Sequence, residues 1–180
     1  EQPDKLTILF VGRLQARKRI DNLLHACASL PQSIQPRLII VGDGPARHDF
    51  EGLASSVYPE AQFTGEKHGK GLESLFLEAD LFVLPGTGGL AVQQAMSYAL
   101  PVIVAEGDGT QDDLVRPVNG LRIASDDVQA LKDALQFMLS DFSRLRQMGA
   151  ASYRIVTEEV NLEKMAEVFI RAACTVRGEA

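Results

Sequence analysis

The sequence contains no tryptophan, two cysteines and three histidines among its 180 residues. Cys27 and Cys174 fit neither the spacing of a zinc site nor that of a redox motif, so we expect two reduced thiols, which favours a reducing compartment. No stretch approaches the roughly 18 consecutive apolar residues of a membrane span. The polar, acidic start has no signal-peptide pattern and no Met. These absences argue against a zinc domain and against a transmembrane segment.

Positive charge is also scarce. The 18 Lys and Arg residues are outnumbered by 24 Asp and Glu residues, which gives a formal net charge of −6. Nucleic acids and anionic membranes attract a basic face, so this balance argues against general binding of either. With 46% hydrophobic residues the composition is that of a globular chain, and its length fits one domain over residues 1–180.

Six short apolar runs alternate with segments of helical periodicity. The runs lack strict in–out alternation, as in strands that are buried on both faces of a parallel sheet. The predicted strands are 6–11, 38–41, 61–64, 81–84, 101–105 and 121–124. The predicted helices are 20–30, 46–57, 71–79, 90–99, a single turn at 111–115, 126–139 with an Asp126 cap, 141–156 and 162–173. This order predicts an α/β fold: a doubly wound, mostly parallel six-stranded Rossmann-like sheet, with helices on both faces and the last helices (141–175) packed outside it.

The loop after the first predicted strand is basic in an otherwise acidic protein. It reads G-R-L-Q-A-R-K-R over residues 12–19. A loop at the carboxyl end of such a strand faces the ligand crevice, and Arg and Lys there suit a phosphate group. We therefore expect an anion site with Arg13 and Lys18 as its main cations, the alternative being a solvated basic loop. Because the loop is not G-x-G-x-x-G, ordinary dinucleotide binding is disfavoured.

A glycine-rich turn, P-G-T-G-G-L over residues 85–90, follows the fourth predicted strand and leads directly into a helix. Glycines let the backbone turn tightly and approach a ligand closely. The N–H groups of Gly89, Leu90 and Ala91, at the positive end of the helix dipole, would form a second anion seat. A plain glycine-rich turn is the alternative.

Three more loops follow strands. Asp43 in G-D-G-P is expected to serve the turn or cap a helix more than to bind a ligand hydroxyl. The polar segment 65–71 could cover part of a ligand, and we expect its His68 to be solvated rather than catalytic. The acidic segment 106–113 offers Asp108 or Thr110 as a helix cap. We expect no metal site, since no His accompanies these carboxylates at ligand spacing.

Several collinear motifs span almost the whole chain. They are I-L-F-V-G-R-L-x-x-R-K at 8–18, L-I-I-V-G-D-G-P at 38–45, A-D-L-F-V-L-P at 79–85, G-L-x-x-x-x-A-M-S-Y-x-L-P-V-I-V at 89–104, N-G-L at 119–121 and D-D-V-x-A-L at 126–131. In this order they resemble the C-terminal nucleotide-sugar domain of retaining glycosyltransferases with the two-domain GT-B fold, family four or "group 1".

The resemblance implies roles by position. Arg13 and Lys18 would hold the donor diphosphate beside Gly12, together with the backbone of Gly89, Leu90 and Ala91. The base would lie near Gly42, Asp43, Gly65 and Glu66. The family carries two glutamates in E-G-F-G-L-x-x-x-E-A-M. Gln94 stands at the second, which contacts the ribose, and Gly86 stands at the first, which contacts the sugar. Gln94 can still hydrogen-bond hydroxyls, whereas Gly86 has no side chain.

The resemblance also implies a missing half. The family has an N-terminal domain that supplies the acceptor site, and a start without Met fits an excised C-terminal half. The expected partners are a nucleotide-diphosphate sugar, that N-terminal domain and a saccharide or lipid-linked acceptor, with no cofactor and no nucleic acid. The implied role is donor binding in polysaccharide biosynthesis, with a fragment inactive on its own. The expected location is cytoplasmic, with or without peripheral attachment to the inner face of the membrane.

Two alternatives stay open. The chain could be a degenerate, non-catalytic binding module. This alternative is based on Gly86, which lacks the carboxylate that the family carries at this position. It could also belong to a nucleotide-sugar epimerase of the same architecture.

Overall fold

The computed structural model describes residues 5–107, 109, 111 and 113–160. The strands are β1 (Thr7–Val11), β2 (Arg37–Val41), β3 (Gln62–Gly65), β4 (Leu81–Leu84), β5 (Val102–Ala105) and β6 (Gly120–Ile123). The helices are α1 (Ile20–Ala28), α2 (Arg47–Val57), α3 (Lys70–Glu78), α4 (Ala91–Ser97), α5 (Val128–Leu139) and α6 (Phe142–Arg154). A short π-helix at Ile155–Glu159 follows α6. All six predicted strands are present, within two residues at either end.

The strands form one parallel sheet in the order β3-β2-β1-β4-β5-β6. The prediction of a doubly wound α/β sheet is therefore confirmed. The chain moves outward from β1 to β3, then returns to place β4 on the other side of β1. The loops after β1 and β4 consequently diverge and leave a crevice at the carboxyl edge of the sheet, which is where such folds bind ligands.

The central strands are buried because helices cover both faces. Leu9, Ile39 and Phe82 lie side by side on β1, β2 and β4 and are fully buried. On the helical layers α1 packs against α2 and α5, and α4 packs against α6. Burial of these apolar side chains is the main stabilising term of the fold, and it holds the loop ends that form the site.

The amino edge of the sheet is fastened by Asp80. Its Oδ2 accepts a hydrogen bond from the backbone nitrogen of Thr7 (2.8 Å), and the backbone nitrogen of Asp80 donates to the Thr7 carbonyl (2.9 Å). Burial raises the pKa of Asp80, while the Thr7 bond and the charge of Arg146 partly oppose this rise. Asp80 thus links the starts of β1 and β4, far from the crevice.

Some predicted boundaries were wrong. Asp127, not Asp126, caps α5, and it accepts from the Ala130 nitrogen at 2.8 Å. Asp126 has a positive φ of 63° and pairs with Arg19 at 2.7 Å instead. The turn at 111–115 forms hydrogen bonds to the Gln111 carbonyl without becoming a helix. The predicted helix 162–173, Cys174, Asp108 and Thr110 lie outside the described residues.

Candidate functional site

A cleft of about 610 Å³ lies at the carboxyl edge, where β1, β2 and β3 end. Its lining residues are Val11, Gly12, Arg13, Val41, Gly42, Asp43, Gly44, Glu66, Lys67, His68 and Leu72. The structure therefore brings together the predicted residues that follow the first three strands. Its volume lies within the range typical of small-molecule sites.

Backbone hydrogen bonds fix the floor of the cleft. The Gly12 nitrogen donates to the Val41 carbonyl (3.0 Å), and the Leu14 nitrogen donates to the Asp43 carbonyl (2.9 Å). The Leu14 carbonyl in turn accepts from the Ala46 nitrogen at 3.0 Å. Because these contacts use main-chain atoms, the first two loops form one rigid unit.

Gly42 joins the third loop to this unit. Its nitrogen donates to the Gly65 carbonyl at 2.9 Å. Its φ is +135°, and a Cβ there would lie 2.0 Å from the carbonyl oxygen of Gly12. Only glycine can occupy this crossing, so Gly42 contributes to the cleft by allowing the close approach of two loops.

Asp43 is committed to the turn, as expected. One carboxylate oxygen accepts from the Gly44 nitrogen (2.7 Å), and the other lies 3.2 Å from Nη1 of Arg47. Arg47 also binds Glu51 at 2.7 Å through its Nε, and this bond is the first cause of the raised pKa of Arg47, with Asp43 contributing less. The negative charge of Asp43 is thereby balanced within the protein.

Arg13 is the cation that faces the cleft from the first loop. It is exposed, and no residue in the described ranges accepts a hydrogen bond from its guanidinium or forms an ion pair with it. An unpaired guanidinium presents several donors in a planar fork that suits phosphate oxygens. Arg13 therefore lines the cleft, and its contact with phosphate stays a prediction.

Lys18 occupies a different environment. Only 6% of the residue is exposed, and its Nζ donates to the carbonyl oxygens of Thr87 (2.7 Å) and Gly88 (2.8 Å). The ammonium is thus bound to the glycine-rich loop, and the predicted contact of Lys18 with phosphate stays a prediction. Lys18 ties the loop after β1 to the loop after β4.

Gly86 fits closely against the same segment. A Cβ at Gly86 would lie 2.1 Å from the Arg17 carbonyl oxygen and 2.6 Å from the Lys18 carbonyl carbon. The Thr87 nitrogen donates to that Arg17 oxygen at 3.2 Å. Position 86 therefore has no space for a glutamate side chain, and the close crossing of two backbones explains its glycine.

The start of α4 carries three amide nitrogens without a described acceptor, those of Gly89, Leu90 and Ala91. The Leu90 side chain is 92% exposed, and Gln94 is exposed one turn later. With seven residues α4 is short, so we expect the amides themselves, more than a helix dipole, to attract an anion.

Lys67, His68 and Leu72 also line the cleft. The segment 65–71 was expected to cover part of a ligand, but Lys67 and Leu72 were not singled out, and His68 was expected to be solvated. His68 is indeed exposed, with its Nε2 3.6 Å from a Glu66 carboxylate oxygen. The position of this segment directly after a strand was the available signal, and no feature of the sequence distinguishes Lys67 or Leu72 within it. Three side chains from this segment thus face the same space as Arg13.

Within the described residues, two kinds of feature are absent. No group of three or more His, Cys, Asp or Glu side chains is placed to hold a metal ion there. None of the helices described above has both the length and the apolar character needed to cross a bilayer.

Comparison with known proteins gives consistent results. The sequence profile of the family "Glycosyl transferases group 1" matches residues 1–155. The chain is 36% identical over 160 residues to a GDP-mannose-dependent alpha-mannosyltransferase of Mycolicibacterium smegmatis, covering 86% of this chain and 40% of that protein. It is 35% identical over 114 residues to the sulfoquinovosyl transferase SQD2 of Arabidopsis thaliana, covering 62% of this chain and 21% of that protein.

Among solved structures, the sucrose-phosphate synthase from Thermosynechococcus elongatus superposes with a TM-score of 0.80 at 26% identity. The match covers 98% of this chain and 47% of the synthase. The chain thus spans less than half the length of each of these three proteins.

Proposed function

Because this chain belongs to the glycosyl transferases group 1 family, we propose that it binds the nucleotide-sugar donor of a glycosyltransferase. The observation that carries the proposal is the guanidinium of Arg13, which has no partner among the described residues and lies in a preformed cleft at the carboxyl edge. Family membership supplies the class of ligand, and the cleft supplies a place of suitable volume and charge.

We assign the nucleoside to the side of the cleft formed by Gly42, Asp43, Gly65 and Glu66. The diphosphate would lie between Gly12 and Arg13 on the first loop and the free amides of Gly89, Leu90 and Ala91 on the fourth. The predicted contact of Gln94 with the ribose and the predicted part of Gly86 in the sugar region stay proposals. Lys18 would act on the phosphates both through its charge and through the loop that it holds.

The chemistry follows from this arrangement. When the glycosyl group departs, negative charge develops on the diphosphate, and preorganised cations and amides stabilise that charge in the transition state. Arg13 and the buried ammonium of Lys18 would neutralise it without a metal ion. We propose that the complete enzyme acts with retention on a saccharide or lipid-linked acceptor. An N-terminal domain would form the other wall of the cleft, since transfer requires both substrates to be oriented together.

The binding test uses calorimetric titration with a panel of nucleoside diphosphates. We expect one nucleotide to bind, and Arg13→Ala to weaken it about tenfold or more, a loss of roughly 1.4 kcal/mol per tenfold step. Arg17→Ala is the matched control, because Arg17 is exposed on the same loop but bonds to Gln15 at 2.9 Å and does not line the cleft. Equal losses in both variants would indicate a nonspecific charge effect and contradict the proposal.

Turnover is tested in the full-length protein with the nucleotide sugar of the base that binds. We expect glycosyl transfer that falls strongly in Arg13→Ala. Nucleotide binding without any transfer would support the alternative of a non-catalytic binding module instead. The location proposed from the sequence, cytoplasmic with or without peripheral membrane attachment, is tested separately by fractionation.

A further inference from the structure

We propose that the ion pair between Arg19 and Asp126 positions Lys18 at the glycine-rich loop, which makes both members of the pair positioning residues for the nucleotide site. This inference rests on the proposed function. Arg19 follows Lys18 directly in the first loop, and Asp126 lies in the loop between β6 and α5. Neither residue lines the cleft, so we expect them to act on the ligand through Lys18 and not by contact.

The backbone of Arg19 lies in the left-handed region, with φ 52° and ψ 41°. A residue with a Cβ rarely adopts this conformation, because its Cβ then crowds the following carbonyl oxygen. Arg19 ends the single turn at Ala16–Lys18, and its nitrogen donates to the Ala16 carbonyl at 3.0 Å. The helix α1 begins at the next residue, Ile20, which is fully buried. The φ of Arg19 therefore sets the direction of Lys18 relative to an anchored helix.

The side chain of Arg19 is held by charges and by one hydrogen bond. Its Nε lies 2.7 Å from Oδ1 of Asp126. Its Nη2 donates to Oδ1 of Asn22 (3.2 Å) and lies 3.5 Å from Oδ2 of Asp21. The Nε is shielded from solvent and makes no well-aligned hydrogen bond, so its contact with Asp126 is mainly one of charge. Among the described residues, Asp126 is the one partner that reaches this guanidinium from another part of the fold.

The main chain around Asp126 is anchored on both sides. The hydroxyl of the preceding residue, Ser125, donates to the Glu106 carbonyl in the loop after β5. The following residue, Asp127, caps α5, and α5 packs against α1. The carboxylate of Asp126 thus meets Arg19 from a segment that is fastened to two other parts of the fold.

The pair closes a circuit of loops at the carboxyl edge. Lys18 joins the loop after β1 to the carbonyl of Thr87 in the loop after β4. The methyl group of Thr87 packs beside Gly107 in the loop after β5, and the hydroxyl bond described above joins that loop to the one after β6. From there Asp126 returns to Arg19 in the first loop. Loss of the pair opens the circuit at the residue next to Lys18.

Positioning and simple charge predict opposite signs. The carboxylate of Asp126 repels an anionic ligand, so its removal would strengthen nucleotide binding if it acted only through its electric field. If it positions Lys18, its removal weakens binding. The side chain of Asp126 is 65% exposed, and exposed ion pairs contribute little to stability. We therefore expect a modest loss of affinity with a small change in the unfolding temperature.

The first test titrates the full-length protein with the nucleoside diphosphate that the wild type binds. Asn tolerates a positive φ, so Asp126→Asn removes the charge and keeps the shape. We expect affinity to fall about two- to fivefold, the size of an exposed ion pair. Asp133→Asn, at an exposed carboxylate on α5, is the charge-matched control and should bind like the wild type. In the Arg19→Gly background, Asp126→Asn should no longer weaken binding.

The second test compares Arg19→Gly with Arg19→Ala. Both variants lose the same charge, but Gly adopts the left-handed conformation without strain and Ala does not. We expect Arg19→Ala to bind the nucleotide about fivefold or more weakly than Arg19→Gly does. A residue that acted only through its charge would give equal affinities.

Hydrogen exchange of the unliganded protein tests the same link without a nucleotide. The Thr87 nitrogen donates to the Arg17 carbonyl at 3.2 Å, so exchange of this amide reports whether the two loops stay joined. We expect faster exchange in Arg19→Ala and near wild-type exchange in Arg19→Gly.

Three results would overturn the inference. They are unchanged or tighter binding in Asp126→Asn, a loss that persists in the Arg19→Gly background, and equal affinities of Arg19→Gly and Arg19→Ala. If the wild type binds no nucleotide, the proposed function fails, and hydrogen exchange decides the positioning of the loop by itself: equal exchange in Arg19→Ala and wild type would refute it.

Discussion

The ammonium nitrogen of Lys18 lies 2.7 Å from the carbonyl oxygen of Thr87, and this contact joins the two loops that diverge at the crevice. A buried ammonium needs such partners, since burial without hydrogen bonds is costly. The carbonyls of Thr87 and Gly88 supply them. The position of the glycine-rich loop therefore depends on a side chain from another strand end.

Replacement of Lys18 by Met should remove both contributions of this residue, its positive charge and its hydrogen bonds to the glycine-rich loop. Met fills a similar buried volume, so we expect a small change in the unfolding temperature. If the proposed nucleotide site exists, its affinity for the nucleotide should fall about tenfold or more, because a nearby positive charge and the hydrogen bonds to the loop are both lost. Lys18→Arg should not restore binding, since the planar guanidinium does not fit the space of an ammonium. Wild-type affinity in Lys18→Met, measured by titration, would refute this role.

Gly86→Ala should destabilise the protein. The added Cβ would lie 2.1 Å from the Arg17 carbonyl oxygen, so one backbone must move. Overpacking of this kind costs about 1–3 kcal/mol of unfolding free energy. Gly52→Ala is the matched control, because Gly52 lies exposed in α2 with nothing near its Cβ position, and Ala there should be neutral or stabilising by up to about 1 kcal/mol. Urea denaturation of both variants measures the difference. Equal stabilities would contradict the described crossing.

The pKa of Asp80 predicts how stability depends on pH. Because burial raises the pKa in the folded state, the folded protein holds its proton to higher pH than the unfolded chain does. The free energy of unfolding therefore falls as pH rises from the unfolded pKa through the folded one, and the penalty persists at neutral pH. Asp80→Asn keeps an acceptor for Thr7 without the charge.

We expect Asp80→Asn to be at least as stable as wild type at pH 7, with the advantage shrinking toward pH 4. Urea denaturation across this range provides the measurement. Asp133→Asn, at an exposed carboxylate on α5, controls for the change in net charge. A variant that is less stable than wild type at pH 7 would show that the Thr7 bond outweighs the cost of burying the charge.

Cys27 should be chemically inert in the folded protein. The residue is fully buried on α1, and burial raises its pKa to about 12, which suppresses the reactive thiolate. In a Cys174→Ser variant, which removes the other thiol, we expect no alkylation of the native protein at pH 8 and complete alkylation in concentrated guanidinium chloride. Rapid native labelling would show that α1 opens readily.

The fold could be predicted from periodicity alone because the buried strands are continuous apolar runs that end at Gly or Pro. Val41 before Gly42 and Leu84 before Pro85 mark such ends, and the strands β2 and β4 end there. Helix ends were less accurate because a cap depends on local backbone geometry. Asp126 and Asp127 are the same residue type, and the sequence does not show which of them caps α5. In the structure Asp126 has a positive φ, and Asp127 is the cap.

The position of Arg13 at the cleft could be predicted because its loop follows a strand end and faces the crevice directly. Positions were not predictable where tertiary contacts decide. Nothing in R-K-R shows that Lys18 turns inward while its neighbour Arg17 is exposed, since that depends on the carbonyls of Thr87 and Gly88, which lie about 70 residues away in the chain. Lys67 was not singled out for a different reason: an exposed lysine in a loop has no sequence pattern that distinguishes a ligand contact from a solvated side chain.

The main-chain bonds between Gly12, Val41, Leu14 and Asp43 have a consequence for how this cleft can change. The framework is held by main-chain hydrogen bonds, which do not depend on the side chains present. Glu66, Lys67 and His68, in contrast, line the cleft with exposed side chains that contribute little to stability. Substitutions among these three can alter ligand preference at almost no cost in stability. The same scaffold is therefore open to redesign, or to divergence, toward a different ligand.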